Sequence, residues 1–271
     1  MPFLPSAILA PYIKNYTVLT IGKDLNNEVF YPSAYVDMVV NLSGSAATII
    51  NGNRKDTPSI ELLGHLTLPT RLSVSKGTTV LIARFFPYAC PLFFPHPVAV
   101  FTNYATDLYD VEPAAMQQLY EQLQQAPLIT GKIAVLETYL LQQLRKNEKQ
   151  LKKAGIVQQL CRQLSATHEQ LNLPALARSS GISERYIQQL YLSHVGISPA
   201  AFVAVIRFNK SLDRVLSTPA SLTSIAYECG YYDQAHFIKE FRKFTGITPS
   251  AARLSLMKHG EAFQQAVNIG F

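Results

Sequence analysis

The stretch Ser224-Ile225-Ala226-Tyr227-Glu228-Cys229-Gly230-Tyr231-Tyr232-Asp233-Gln234-Ala235-His236-Phe237-Ile238-Lys239-Glu240-Phe241-Arg242-Lys243 decides how the chain reads, because its pattern occurs twice. Ile225-Ala226 and Gly230 repeat Leu176-Ala177 and Gly181 at a distance of 49 residues. Phe237, Phe241, Gly246-Ile247 and Pro249 repeat Ile187, Tyr191, Gly196-Ile197 and Pro199 at 50, so the second copy has one extra turn residue. Each copy has the same physical logic. A small alanine lets a second helix cross the first closely, and the glycine four residues on supplies the positive φ of a tight turn. An apolar residue six or seven positions later packs the second helix back onto the first.

This is helix-turn-helix spacing, in which the second helix enters a DNA major groove. The flanking residues fit. Asn172 can cap a helix that has Pro174 in its first turn, and Ser183, Ser221 and Asp233 can cap three more. Pro199 opens a long helix through Leu216, with Val205, Phe208, Leu212 and Val215 on one face. Ile156, Leu160 and Leu164 mark a helix ahead of the repeat. With Ser183 and Asp233 as caps, Ile187, Leu190, Tyr191, Phe237 and Phe241 face the core. The exposed faces then hold Arg185, Gln188 and Gln189 in the first copy, and Gln234, Ala235, Ile238 and Lys239 in the second, as candidates for base contact. Arg185 suits guanine, Gln188 or Gln234 suits adenine, and Ile238 suits a thymine methyl; each good bidentate pair discriminates by ~1–3 kcal/mol. Ser183, Arg207, Lys210, His236, Arg242 and Lys243 are candidates for phosphate contact, while Glu184 and Glu240 would repel phosphate unless paired. Two such helices on one linking helix would meet successive major grooves ~34 Å apart, so one chain would read an asymmetric site.

From about Ile156 to Leu254 the sequence resembles the twin helix-turn-helix domain of AraC/XylS-type transcription regulators. The quoted stretch, followed by Gly246-Ile247-Thr248-Pro249, matches the family's core signature, with Tyr231 in place of the usual Phe and Ala235 in place of the usual Ser beside His236. The resemblance implies a transcription regulator that contacts or obstructs RNA polymerase at a promoter. It also implies base contacts at the positions that periodicity exposes.

The first hundred residues read as strands. Tyr35 to Leu42 is apolar and β-branched, Ala46 to Ile50 leads into the hairpin dipeptide Asn51-Gly52, and Arg71–Val74 and Thr78–Phe85 flank a turn at Lys76-Gly77. A small sandwich or barrel, cupin-like, is expected. The stretches Pro11-Tyr12-Ile13, Tyr31 to Leu42, Leu63 to Pro69 and Ala83 to Pro87 resemble the sensor domain that precedes this module in one AraC-type subgroup, which implies a small-molecule effector or a homodimer. Phe85, Phe86, Tyr88, Phe93 and Phe94 crowd one region and are the candidate effector pocket. Ala114–Gln125 and Lys132–Lys153 read as helices, the latter with Ile133, Leu136, Leu140 and Leu144 on one stripe. The expected class is α+β: a β-rich domain over 1–110, a helical connector over 111–153, and an all-α domain with two helix-turn-helix units over 154–271.

Composition agrees. The 271 residues are 48% apolar and 15% charged, which excludes disordered, collagen-like and disulfide-stapled chains. The formal charge is +6; 11 Lys and Arg oppose 7 Asp and Glu from residue 154 on, against 13 and 11 before it. That excess suits phosphate contact. No apolar run reaches the ~18–20 residues of a membrane span, and the opening MPFLPSAILAPYIK lacks a basic region before its apolar residues. Cys90, Cys161 and Cys229 are scattered, which fits a reducing cytoplasm rather than a disulfide or zinc framework. His65 and His96 stand isolated and no phosphate-loop, dinucleotide or nucleophile-elbow motif is present, so neither catalysis nor a metal or cofactor is expected. The expected function is sequence-specific binding of double-stranded DNA under small-molecule control. The alternatives are a non-specific architectural DNA binder, or a ligand-binding protein whose helical domain has lost its DNA affinity.

Overall fold

The computed structural model describes residues 2–50, 53–94, 96–166 and 171–259. The β-branched and apolar runs form β1 (Ile13–Thr20), β2 (Leu25–Phe30), β3 (Val36–Ser43), β4 (Ala46–Ile50), β5 (Asn53–Asp56), β6 (Ile60–Leu63), β7 (Thr70–Val74) and β8 (Thr79–Phe85), with a short β9 (Ala105–Asp107). All strand pairs are antiparallel, in a five-stranded sheet of order β1-β8-β3-β6-β9 and a four-stranded sheet of order β2-β7-β4-β5. Ile50 pairs with Asn53, as a hairpin requires; Asn51 and Gly52 lie outside the described residues. The turn at Lys76-Gly77 does not close a hairpin, because β7 and β8 belong to different sheets. The chain crosses between the layers there, with Gly77 at φ +84°.

Period-two alternation gives the larger sheet two different faces. On one, Val36, Met38 and Val40 of β3, Ile60 and Leu62 of β6, and Leu81, Ala83 and Phe85 of β8 are fully buried. They share a core with α1 (Cys90–Phe93), α2 (Pro113–Gln125), α3 (Ile129–Lys146) and α4 (Leu151–Ala166). On the other face, Asp37, Val39, Glu61, Leu63, Val80 and Ile82 turn toward the smaller sheet and line a cavity of about 70 Å³ between the layers. Arg84 continues that face and grips Asp37 with two bonds, Nε to Oδ1 at 2.9 Å and Nη2 to Oδ2 at 2.8 Å, both residues being buried.

The stripe Ile133, Leu136, Leu140 and Leu144 is buried as its spacing predicts. The single helix expected over Lys132–Lys153 is instead two. α3 stops at Lys146 because the Asn147 side chain donates to the Leu92 carbonyl (3.3 Å) as well as to that of Gln143 (3.1 Å), which ties the chain to α1 at the break. α4 then runs through residues 153 and 154, the expected domain junction.

Among the described residues six helices follow: α5 (Leu173–Ser180), α6 (Glu184–His194), α7 (Pro199–Ser217), α8 (Leu222–Glu228), α9 (Gln234–Thr245) and α10 (Pro249–His259). The core that begins under the larger sheet continues through α4, α5 and α6 as far as Phe202 and Val203 on α7. A second core holds Val205, Phe208, Leu212 and Val215 of α7 with α8, α9 and Tyr31 of the β domain. Among the described residues no single helix is long and apolar enough to cross a membrane.

The expected aromatic pocket divides. Phe85, Phe93 and Phe94 are packed core, with Phe85 and Phe93 ring centres 5.1 Å apart. Phe86 and Tyr88 stack on each other and line a cleft of about 790 Å³ between the β domain and α4 and α7. Aromatic crowding in sequence does not distinguish a wall from a core, because both bury the same rings.

The buried Asp37–Arg84 pair has a checkable cost. Asp37→Ala strands a guanidinium inside the β domain and is expected to lower stability by about 3–5 kcal/mol in urea unfolding. A loss below about 1 kcal/mol would mean that water reaches the pair.

Candidate nucleic-acid interface

The two repeats fold as two helix pairs. In the first, the Asn172 side chain caps α5 by accepting from Ala175 N–H, Gly181 turns the chain at φ +69°, and the Ser183 hydroxyl caps α6 by accepting from Tyr186 N–H. In the second, Ser221 caps α8, Gly230 takes φ +78°, and the Asp233 carboxylate caps α9 by accepting from His236 N–H at 2.7 Å. Each cap fixes where its helix begins, and therefore which side chains face outward.

The inward set is the one periodicity predicts: Ile187, Leu190, Tyr191, Phe237 and Phe241 are buried. Arg185, Gln188 and Gln189 are exposed along α6. On α9, Ala235, Ile238, Lys239, Arg242 and Lys243 line one shallow surface groove. Ile238 is half-buried and leans on the second core, so only part of it faces out. Gln234 accepts from the Thr223 hydroxyl at 2.6 Å, which ties the start of α9 to α8. Ser183 stays exposed, but its hydroxyl is occupied as the cap.

Two phosphate candidates are otherwise engaged. Arg207 on α7 makes three bonds to Glu240 on α9, at 2.7–3.0 Å, and its guanidinium lies 4.6 Å from the centre of the Tyr231 ring. Burial opposes its charge, and the bonded Glu240 carboxylate more than restores it, so the Arg207 pKa lies above its ordinary value. Arg207 thus pins α9 to the linking helix. Sequence position alone put it on the DNA side, because a partner 33 residues away is not visible in local spacing. Lys210 donates to the Glu228 carbonyl and lines the cleft toward the β domain. His236 sits 5.4 Å from the Tyr231 ring and 3.9 Å from Glu240, half-exposed at the start of α9. Arg242 and Lys243 are exposed.

Residues 176–255 match a family described as a helix-turn-helix domain. They form an AraC-type domain. Residues 1–107 match a second family, described as Domain of unknown function (DUF6597). The HTH-type transcriptional activator RhaS of Pectobacterium carotovorum is 28% identical over 158 residues, 54% of this chain and 57% of RhaS. The virulence regulon transcriptional activator VirF of Yersinia enterocolitica is 32% identical over 83 residues, 31% of each chain. The chain therefore spans little more than half the length of one of these relatives and a third of the other. A solved structure of ToxT from Vibrio cholerae aligns over 88% of this chain and 97% of its own, at 12% identity and a TM-score of 0.47.

Within the AraC-type domain the repeats differ in what their matching glycines touch. Gly196 follows α6 and Gly246 follows α9, at φ +86° and +79°. A Cβ on Gly246 would meet nothing, whereas one on Gly196 would lie 2.8 Å from Thr102 Oγ1 and 3.0 Å from the Val98 carbonyl oxygen. The Thr102 hydroxyl also donates to the Gly196 carbonyl at 2.9 Å. The β domain is therefore docked on the first unit at this point. Gly246→Ala is expected to cost only the left-handed backbone penalty, about 1–2 kcal/mol. Gly196→Ala should exceed that in the same urea titration, and equal costs would mean that the docking contact yields freely.

Proposed function

We propose that the chain is a sequence-specific, DNA-binding transcription regulator working in the cytoplasm. Residues 1–110 act as its sensor or dimerisation domain, 111–153 as connector and 154–271 as reading domain. What carries the reading is the pair of capped helices α6 and α9, whose apolar faces are buried while Arg185, Gln188, Gln189, Lys239, Arg242 and Lys243 stand open. The two helices differ in charge. α6 balances Glu184 against Arg185, whereas α9 carries Lys239, Arg242 and Lys243 with Glu240 already neutralised by Arg207. Both helices therefore read bases, and α9 carries the larger share of phosphate anchoring. The partner is double-stranded DNA at an asymmetric promoter site, and RNA polymerase is contacted or obstructed there.

A small-molecule occupant of the β domain has a contiguous route to α6. A Cβ on Gly64, at the end of β6, would overlap the Phe101 backbone, so these segments are in tight contact. Thr102 follows Phe101 and bonds Gly196. An effector acts through this route only as far as it binds two arrangements of the protein unequally.

The test is selection of sheared genomic DNA on the full-length chain at ~150 mM salt, where non-specific binding is weak. Enrichment of one motif with two blocks about one helical turn apart supports the proposal. Retention of all sequences alike would favour the architectural alternative, and retention of none the loss of DNA reading. On the selected site, Arg185→Ala should relax preference at one base pair by ~1–3 kcal/mol. Lys243→Ala should weaken all sequences alike and reduce the salt slope by about 1. If the two variants behave identically, the division between α6 and α9 is wrong.

A further inference from the structure

Inside the sandwich, the cavity between the two sheets has an almost wholly apolar wall that includes Phe30, Leu72, Val74 and Ile82. Its polar groups are accounted for, with one exception. Asp37 is held by Arg84, and the Thr48 and Thr57 hydroxyls lie 3.5 Å from each other. Glu61 also lines the cavity, is only 5% exposed, and has no hydrogen-bond or ion-pair partner among the described residues. A carboxylate held away from water without a partner is costly, so such a group takes up a proton unless a cation pairs with it.

We infer that this cavity is a binding site for a small aliphatic ammonium ion, whose charge pairs with Glu61 and whose carbon chain lies against the apolar wall. The volume of about 70 Å³ is on the order of two to three waters' share of liquid volume, so the occupant has only a few heavy atoms. The inference rests on the proposed sensor role for its biological meaning, but the site itself stands on the geometry of the sandwich.

The charged groups around Glu61 set the pH behaviour. Burial pushes its pKa up to about 7, Lys55 on β5 works against that rise, and Asp107, paired with it on β9, adds to it. The fourth and fifth charges near the cavity, Asp37 and Arg84, are committed to each other. An ammonium partner favours ionised Glu61, so binding releases a proton and tightens as pH rises. With a free-state value of about 7, affinity at pH 8 should be about tenfold that at pH 6.

The experiment is calorimetric titration of the full-length chain with n-propylammonium, against 1-propanol, propionate and ammonium itself. Saturable binding of n-propylammonium alone, tighter at pH 8, is expected. Glu61→Gln should weaken it at least tenfold while leaving the fold at least as stable, since the amide is cheaper to bury than the carboxylate. Ala46→Leu keeps Glu61, fills the cavity and should also abolish binding. Binding of propanol, propionate or ammonium at equal strength, retention by Glu61→Gln, or no binding to the folded wild-type chain would overturn the site. Amine binding that leaves DNA affinity unchanged would remove the sensor reading and keep the site; specific DNA recognition without amine binding would remove the site and keep the DNA-reading proposal.

Discussion

The linking helix α7 belongs to two cores at once. Phe202 and Val203 complete the core that starts beneath the β sheet, while Val205, Phe208, Leu212 and Val215 form the centre of the other. At 1.5 Å per residue, its 19 residues span about 28 Å. α6 packs near the start of this rod through Tyr191 and Phe202, and α9 packs at its middle, where the Arg207–Glu240 pair locks it. The spacing and orientation of the two helices are thus fixed by side chains that never face outward. The outward residues can vary without disturbing the frame.

The β domain inverts the usual arrangement of a sandwich. Its most deeply buried face lies outside the layers, between the larger sheet and the connector helices, where Val36, Met38, Val40, Ile60, Leu62, Leu81, Ala83 and Phe85 are sealed. Because stability is supplied there, the space between the sheets does not have to be filled. It can hold a cavity, a buried ion pair and an unpartnered carboxyl without loss of the fold. The same external core continues into α4, α5 and α6, so the β domain and the first helix pair share one apolar network.

Local patterns were legible in the sequence, and pairings over distance were not. The caps at Asn172, Ser183, Ser221 and Asp233 each act within three residues, so sequence shows them directly. The inward set on α6 and α9 follows from a 3.6-residue period and was equally readable. The polar run from Arg145 to Lys153 hints at a helix end, but the tie of Asn147 to a carbonyl 55 residues away is not visible in local spacing. Arg207 looked free because its partner lies on another helix. Gly196 and Gly246 are identical in the repeat, yet only the first meets a neighbouring domain. The cavity wall was invisible for a related reason. Alternation along β3, β6 and β8 reveals two faces but not which of them will be filled.

The sharing of α7 also says where the molecule comes apart. Cooperative opening follows contiguous packing rather than functional division. The sheet, the connector and the first helix pair are joined by one unbroken apolar network, and the second pair by another that touches the β domain through Tyr31. The boundary between the two apolar networks crosses α7 between Val203 and Val205. Two copies of one pattern, alike in sequence, end up in different apolar networks.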